Sequence, residues 1–193
     1  CFFFFFLNSM DKAEYLEILR RSADENTRCK SCNLCRKKSG NSEAESAGIR
    51  LIDLEDAELA ALNLKGINLA RMALEFVDFH ETTLTDANLE ESNLSGANME
   101  KAILQNANLE GAKLESACLG EANLEWANLR EVNLKGAKLD GANLSGVNLQ
   151  GGNLKSANLE NANLKWANLQ KADLKWAYLK GANLEKANMQ GAD

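Results

Sequence analysis

Ala122-Asn123-Leu124-Glu125-Trp126-Ala127-Asn128-Leu129 restarts after five residues, and the same restart governs most of the chain. Leu124 and Leu129 belong to a series that places Leu, Phe or Met at every fifth position from Leu54 to Met189, which makes 28 units without an insertion or deletion. Two residues before each of these stands a small residue from Thr82 onward (Ala87, Ser92, Ala97, Ala102 and on to Ala187), with Val132, Val147 and Gly152 the mildest departures. Between the two lies Asn or Asp in 20 of the 28 units.

A period of five fits neither standard element. On a helix five residues advance by about 500°, so the leucines would spiral around it; on a continuous strand an odd period would flip every second leucine to the opposite face. The backbone must turn once per unit. The small residue and the leucine are two apart, so a short extended segment points both inward, while the residue between them and the two that follow face water. Turns of one hand close the chain into a coil, and the coils stack. Repeats at a short fixed period are the mark of solenoids, whose units cannot bury their apolar faces alone.

The A-N-L-x-x pattern resembles the pentapeptide repeat family and covers about three quarters of the chain. The resemblance implies an all-β solenoid, a right-handed quadrilateral β-helix with four units, or 20 residues, per coil. Residues 52–191 then make about 7 coils and, at roughly 4.8 Å between neighbouring strands, a rod of about 34 Å. The expected division of the chain is a non-native leader over residues 1–9, a short N-terminal helical cap and polar linker over 10–48, and the repeat β-helix over 49–193.

Several features outside the repeats bear on that division. Cys1 to Leu7 holds five consecutive phenylalanines, too short an apolar run for a signal peptide, and Met10 reads as the natural start; the alternative is a membrane-seeking tag, which so short a run would anchor poorly. Asp11 to Ala23 reads as a helix, with Asp11 and Glu14 spaced as a capping box and Tyr15, Leu16, Ile18 and Leu19 on one face. Cys29-x2-Cys32-x2-Cys35 has the spacing of part of a zinc or iron–sulfur site, but no fourth local ligand follows, and no metal or other cofactor is expected. Cys32-Asn33-Leu34-Cys35-Arg36, followed by Ile49-Arg50-Leu51-Ile52-Asp53-Leu54, resembles instead the W-N-x-W-R capping segment that precedes the repeats in bacterial members of the family, with cysteine for both tryptophans. Ile52, Leu62, Ile67 and Met72 stand where later units have alanine, so the first coils are expected to be wider or covered. The final unit, Ala187 to Gly191, is as regular as those before it; this suggests a fragment of a longer repeat protein, or an end-to-end homodimer through the C-terminal coil.

The chain contains no proline, as a ladder that uses nearly every backbone N–H requires. Its net charge of −6 is uneven, with nine Lys/Arg against seven Asp/Glu before Leu51 and an excess of carboxylates beyond it. A basic nucleic-acid surface is disfavoured, and direct nucleic-acid binding is not expected. No apolar run is long enough for a transmembrane helix, so no membrane role is expected. Five cysteines without a secretory pattern point to the cytoplasm.

No catalytic constellation is present. His80 is the only histidine and no nucleophile, P-loop or HExxH motif accompanies it, so the chain does not read as an enzyme. The expected core is the leucine interior, represented by Leu89, Leu94, Leu109, Leu124, Leu134, Leu144, Leu154 and Leu164. Function then lies outside the rod. If residues 20 apart stack, one outer column runs Glu55, Glu75, Ser95, Glu115, Lys135, Lys155, Lys175, and another runs Ala70, Glu90, Glu110, Arg130, Gln150, Gln170, Gln190. Residues 86–131 carry nine acidic against three basic side chains, and 151–193 carry four against six. Trp126, Trp166 and Trp176 occupy the second outward position of their units. As a partner surface the candidates are these tryptophans with Glu90, Glu110 and Glu115; the alternative for the tryptophans is that a large corner side chain covers a neighbouring glycine, such as Gly146 between Trp126 and Trp166. The expected function is a non-catalytic scaffold for an unidentified protein partner; the alternative is a DNA mimic that modulates a type II topoisomerase such as gyrase, as the resemblance permits.

Overall fold

The computed structural model describes Leu54 and residues 56–193. The leader at 1–9, the helical cap and linker at 10–48, and Cys29, Cys32 and Cys35 lie outside the described residues.

Parallel bridges join each unit to the one 20 residues later, from Glu58 with Asp78 to Asn168 with Asn188, without exception to the register. Four units therefore complete one coil and the coil has four sides. Leu54, Leu74 and their successors through Leu174 mark the first side. Leu59, Phe79 and Met99 open the second, Leu64 and Leu84 the third, Leu69 and Leu89 the fourth. The β-structure consists of isolated single-residue bridges rather than extended strands. The chain turns in every unit, so only the residue between the small one and the leucine lies flat enough to pair on both sides.

One unit shows how five residues satisfy five donors. Ala122 N–H closes a tight turn onto Leu119 C=O at 3.1 Å; Asn123 N–H reaches Ala102 C=O at 2.9 Å and Leu124 N–H reaches Asn143 C=O at 2.8 Å. Trp126 N–H donates to Ser145 C=O at 3.0 Å. The fifth donor, Glu125 N–H, has no carbonyl within reach and bonds Asn123 Oδ1 at 3.1 Å. That is the physical reason for the recurring Asn: its oxygen closes the remaining donor, as Asn128 does for Arg130 and Asp173 for Lys175. Its amide then bonds the Asn one coil earlier, Asn128 to Asn108 at 3.0 Å and Asn148 to Asn128 at 3.2 Å.

The interior is filled. The eight leucines named above are buried, with Ala97, Ala112 and Ala137 of the small column beside them. Phe79 and Met99 take leucine positions and are buried as well. Thr82 and Ser92 stand in the small column and are satisfied locally, Thr82 Oγ1 donating to Leu59 C=O and Ser92 Oγ to Leu89 C=O, each at 2.7 Å. Of the large residues in the small column of the first coils, Ile67 is buried, while Leu62 and Met72 pack against the core only in part.

Candidate partner surface

The outside of the rod is organised by its corners. The second residue after each leucine has φ between 53° and 71° at every described unit, most of them non-glycine. With the N–H of the next residue bonded to the leucine carbonyl, this is a tight turn whose third residue is left-handed, as in Leu124-Glu125-Trp126-Ala127. A non-glycine residue there costs on the order of 1 kcal/mol, which the stacking bonds on either side offset. Sequence reading placed these residues outside but missed their conformation. The signal was present: nearly every glycine of the repeats falls in this one column.

At a left-handed corner the side chain lies along the rod, toward the coil that follows. The Trp126 ring covers Gly146 and the Phe76 ring covers Gly96, where a Cβ would collide with the aromatic atoms. One face of each ring is thus in contact, yet Trp126 remains 57% and Phe76 60% exposed. Trp166 has no glycine beneath it in the next coil; Lys165 Nζ sits 4.6 Å from its ring centroid. Trp176, in the last complete coil, is 81% exposed.

The six candidate residues do not form one patch. Trp126 and Trp166 share the corner between the third and fourth sides. Glu90 and Glu110 stand at the next corner, between the fourth and first sides, so these four residues edge the fourth side. Glu115 and Trp176 share the diagonally opposite corner, between the first and second sides. The fourth side is also the one with an unbroken column of asparagines, Asn68 to Asn188, at its centre. The eight units with neither Asn nor Asp before the leucine (Glu58, Ala73, Thr83, Ile103, Lys113, Cys118, Lys138 and Tyr178) all fall on the other three.

Charges along the fourth side's acidic edge are tied locally. Arg130 pairs with Glu110 at 3.0 Å and Glu131 at 2.7 Å, and Arg71 with Glu91 at 2.8 Å. Asn128 Nδ2 donates to Glu110 Oε2 at 3.1 Å, joining the asparagine column to this edge. On the first side Glu115 accepts from Asn133 and from Ser95. Lower on the same side Lys155 pairs with Asp173 at 2.8 Å, and its hydrogen bond lowers the Asp173 carboxyl below its ordinary range. Asp193 raises the Lys175 ammonium by accepting its hydrogen bond. Among the described residues no group of three His, Cys, Asp or Glu side chains is placed to hold a metal ion, and no helix is long and apolar enough to cross a membrane. The Cys118 thiol is free and half-buried on the second side, and His80 pairs with Glu81 at 3.5 Å.

The sequence matches the family described as Pentapeptide repeats, in 8 copies over residues 52–90, 84–120, 117–155 and 157–193. Solved structures similar to it include HetL, a pentapeptide repeat protein involved in heterocyst differentiation regulation in the cyanobacterium Nostoc. HetL is 30% identical, over 75% of this chain and 79% of its own, with a TM-score of 0.31. Rfr23, a pentapeptide repeat protein from the cyanobacterium Cyanothece, is 31% identical over 70% of this chain and 86% of its own, TM-score 0.35. QnrB1, a plasmid-mediated fluoroquinolone resistance protein, is 21% identical over 74% and 78%, TM-score 0.38. No curated protein matches the chain significantly.

Proposed function

This chain belongs to the pentapeptide repeat family, and on that premise we propose that it is a cytoplasmic, non-catalytic scaffold whose fourth side docks a protein partner. The observation that supports this reading is the division of labour across the rod: the interior is filled with buried leucine and alanine, while exposed aromatic rings stand at the corners. Trp126 and Trp166 on one edge, Glu90 and Glu110 on the other, and a flat asparagine column between them give apolar anchors beside an oriented polar strip. The cytoplasmic part rests on the odd number of cysteines. A right-handed winding and a helical cap within residues 10–48 belong to the same proposal, on the strength of family membership.

The test is cross-linking capture from cells of the source organism, comparing the wild-type chain with the Trp126→Ala, Trp166→Ala double variant. One protein should be retained by the first and lost from the second while both melt alike. Equal capture by the two would remove the fourth side from the account.

A second reading is the mimic of DNA for a type II topoisomerase, favoured by the nine acidic against three basic side chains of residues 86–131. A basic groove built for duplex expects about one charge per 1.7 Å along its length. The last two coils instead present Lys155, Lys165, Lys171, Lys175, Lys180 and Lys186, which is why the scaffold is preferred. Unchanged gyrase supercoiling at a large molar excess of the chain would dispose of the mimic.

We also propose an end-to-end homodimer through the C-terminal coil. Leu179 and Leu184 are only partly covered and Met189 is 41% exposed, so the last coil presents an apolar layer. A dimer dissociated by Met189→Lys would support that contact, and one indifferent to it would not.

A further inference from the structure

The corner between the first and second sides carries the longest charge reversal of the four. Its first column reverses sign once along the axis: Glu75, Ser95 and Glu115, then Lys135, Lys155 and Lys175. The second side's column follows the same reversal, with Asp78 above and Lys138 below, whereas the first side's column has Lys113 above and Asp173 below. Phe76 and Trp176, the two most exposed large apolar side chains among the described residues, stand in its second column at the two ends.

A surface that changes sign about its own midpoint is complementary to itself when inverted. We infer that this corner is the contact between two antiparallel copies of the chain, related by a two-fold axis that runs beside the corner, perpendicular to the rod, at the level between the Glu115 and Lys135 coils. The register follows from the numbering. Every pair that adds to the same total faces its counterpart, so Glu115 lies opposite Lys135 of the second copy, Glu75 opposite Lys175 and Ser95 opposite Lys155, each pair occurring twice. In the second column the axis puts Phe76 at the level of Trp176 of the other copy. On the second side it puts Asp78 at the level of the Tyr178 hydroxyl and Cys118 at that of Lys138. No pair of like charges is brought together in these columns.

The local pairing leaves most of these groups available; Glu75, with one oxygen accepting from Asn93 and the other buried without a partner, has to turn outward to meet Lys175 of the second copy. Among the described residues Lys135 makes no ion pair, and Glu115 is held only by the neutral Asn133 and Ser95. Lys155 and Lys175 have their own aspartates, Asp173 and Asp193, but all four side chains are open to solvent, where such pairs exchange at little cost. Exposed aromatic rings at both ends of a charged strip match an interface with apolar anchors and charges that set the register. The contact uses the corner diagonally opposite Trp126 and Trp166, so it leaves the fourth side free and does not depend on the function proposed for it.

The test uses the full chain in sedimentation-velocity and light-scattering measurements. A dimer should form at low salt and weaken as salt rises. Lys135→Glu and Glu115→Lys should each raise the dimer Kd about tenfold or more, whereas the chain carrying both should return to near the wild-type value, because each new charge meets the other across the axis. Trp176→Ala should weaken the dimer without changing its salt dependence. A monomer at low salt and high concentration overturns the inference. So does a dimer that ignores both charge reversals or is not restored by their combination, and sensitivity to Met189→Lys alone would assign association to the last coil instead.

Discussion

The inner coils and the last coil have the same sequence pattern and different environments. Leu134 and Leu154 lie under a further layer and are buried, whereas Leu179 and Leu184, in the same register, are partly open and Met189 is 41% exposed. The Asn128 side chain bonds to the coils before and after it, but the Asn188 side chain retains only the bond from Gln190 N–H at its own turn. Nothing in the units themselves accounts for this. A unit of five residues has no interior of its own, and its leucine is worth what the neighbouring coils make of it.

The largest effect expected is at the leucines. Leu134→Asp buries an unpaired carboxylate between two packed layers and should cost several kcal/mol, enough to abolish cooperative unfolding of the native rod. Leu184→Asp, on the open layer, should cost about 1 kcal/mol or less, since water reaches the new group. Urea unfolding followed by circular dichroism compares them, and equal losses would mean that the last coil is covered.

The fold was legible in the sequence because the inward pair, small residue and leucine, is a packing requirement that each unit repeats. The proline-free composition and the recurring Asn were readable for the same reason: backbone donors need partners. The four-sidedness was not readable, since a period of five fixes that the chain turns and not how many turns close a coil; it came with the family resemblance and is carried by the bridges 20 residues apart. Trp126 was legible as an outward residue that could cover a neighbouring glycine, but the left-handed corner that lays its ring on Gly146 was missed, although the column of glycines signalled it. Phe76 was passed over altogether, although its place two residues after Leu74 put it in the same column as the tryptophans.

The asparagines should show a smaller contrast. Asn128→Ala removes the acceptor for Arg130 N–H and breaks the column on both sides, for about 1–2 kcal/mol. Asn188→Ala removes only the acceptor for Gln190 N–H, in solvent, and should fall within a few tenths of a kcal/mol of wild type. If the two variants unfold at the same urea concentration, the ladder contributes nothing beyond its turns.

Corner substitutions come next. Gly146→Ala places a Cβ against the Trp126 ring at φ 66°, and Gly191→Ala meets only the Lys171 chain at φ 70°. Both lose the left-handed preference, about 1 kcal/mol, and the first should lose more because the ring must move. Trp126 fluorescence should shift in Gly146→Ala and stay unchanged in Gly191→Ala.

The smallest effect is on pH dependence, and it belongs to the open end. The Asp173 carboxyl is lowered by Lys155, so its contribution is present above the ordinary carboxylate range and lost as pH falls through the lowered value. The Lys175 ammonium is raised by Asp193; its contribution is present below the ordinary lysine range and lost as pH rises through the raised value. Lys155→Met should move the Asp173 titration upward by carbon-detected NMR, with little change in melting because the pair is exposed. An unmoved Asp173 would show that Lys155 does not hold it.

The stacking of residues 20 apart is tested most directly by a cross-link. In a chain with Cys1, Cys29, Cys32 and Cys35 changed to serine, Lys138→Cys puts a thiol opposite Cys118, its partner in a parallel bridge. Neighbouring strands about 4.8 Å apart are within the Cα separation a disulfide accepts. Mild oxidation should join Cys118 to position 138 within the monomer and should leave Asn133→Cys, five residues closer in sequence but on a different side, unlinked. Efficient linkage of Cys118 to position 133, with none to 138, would contradict the four-sided coil.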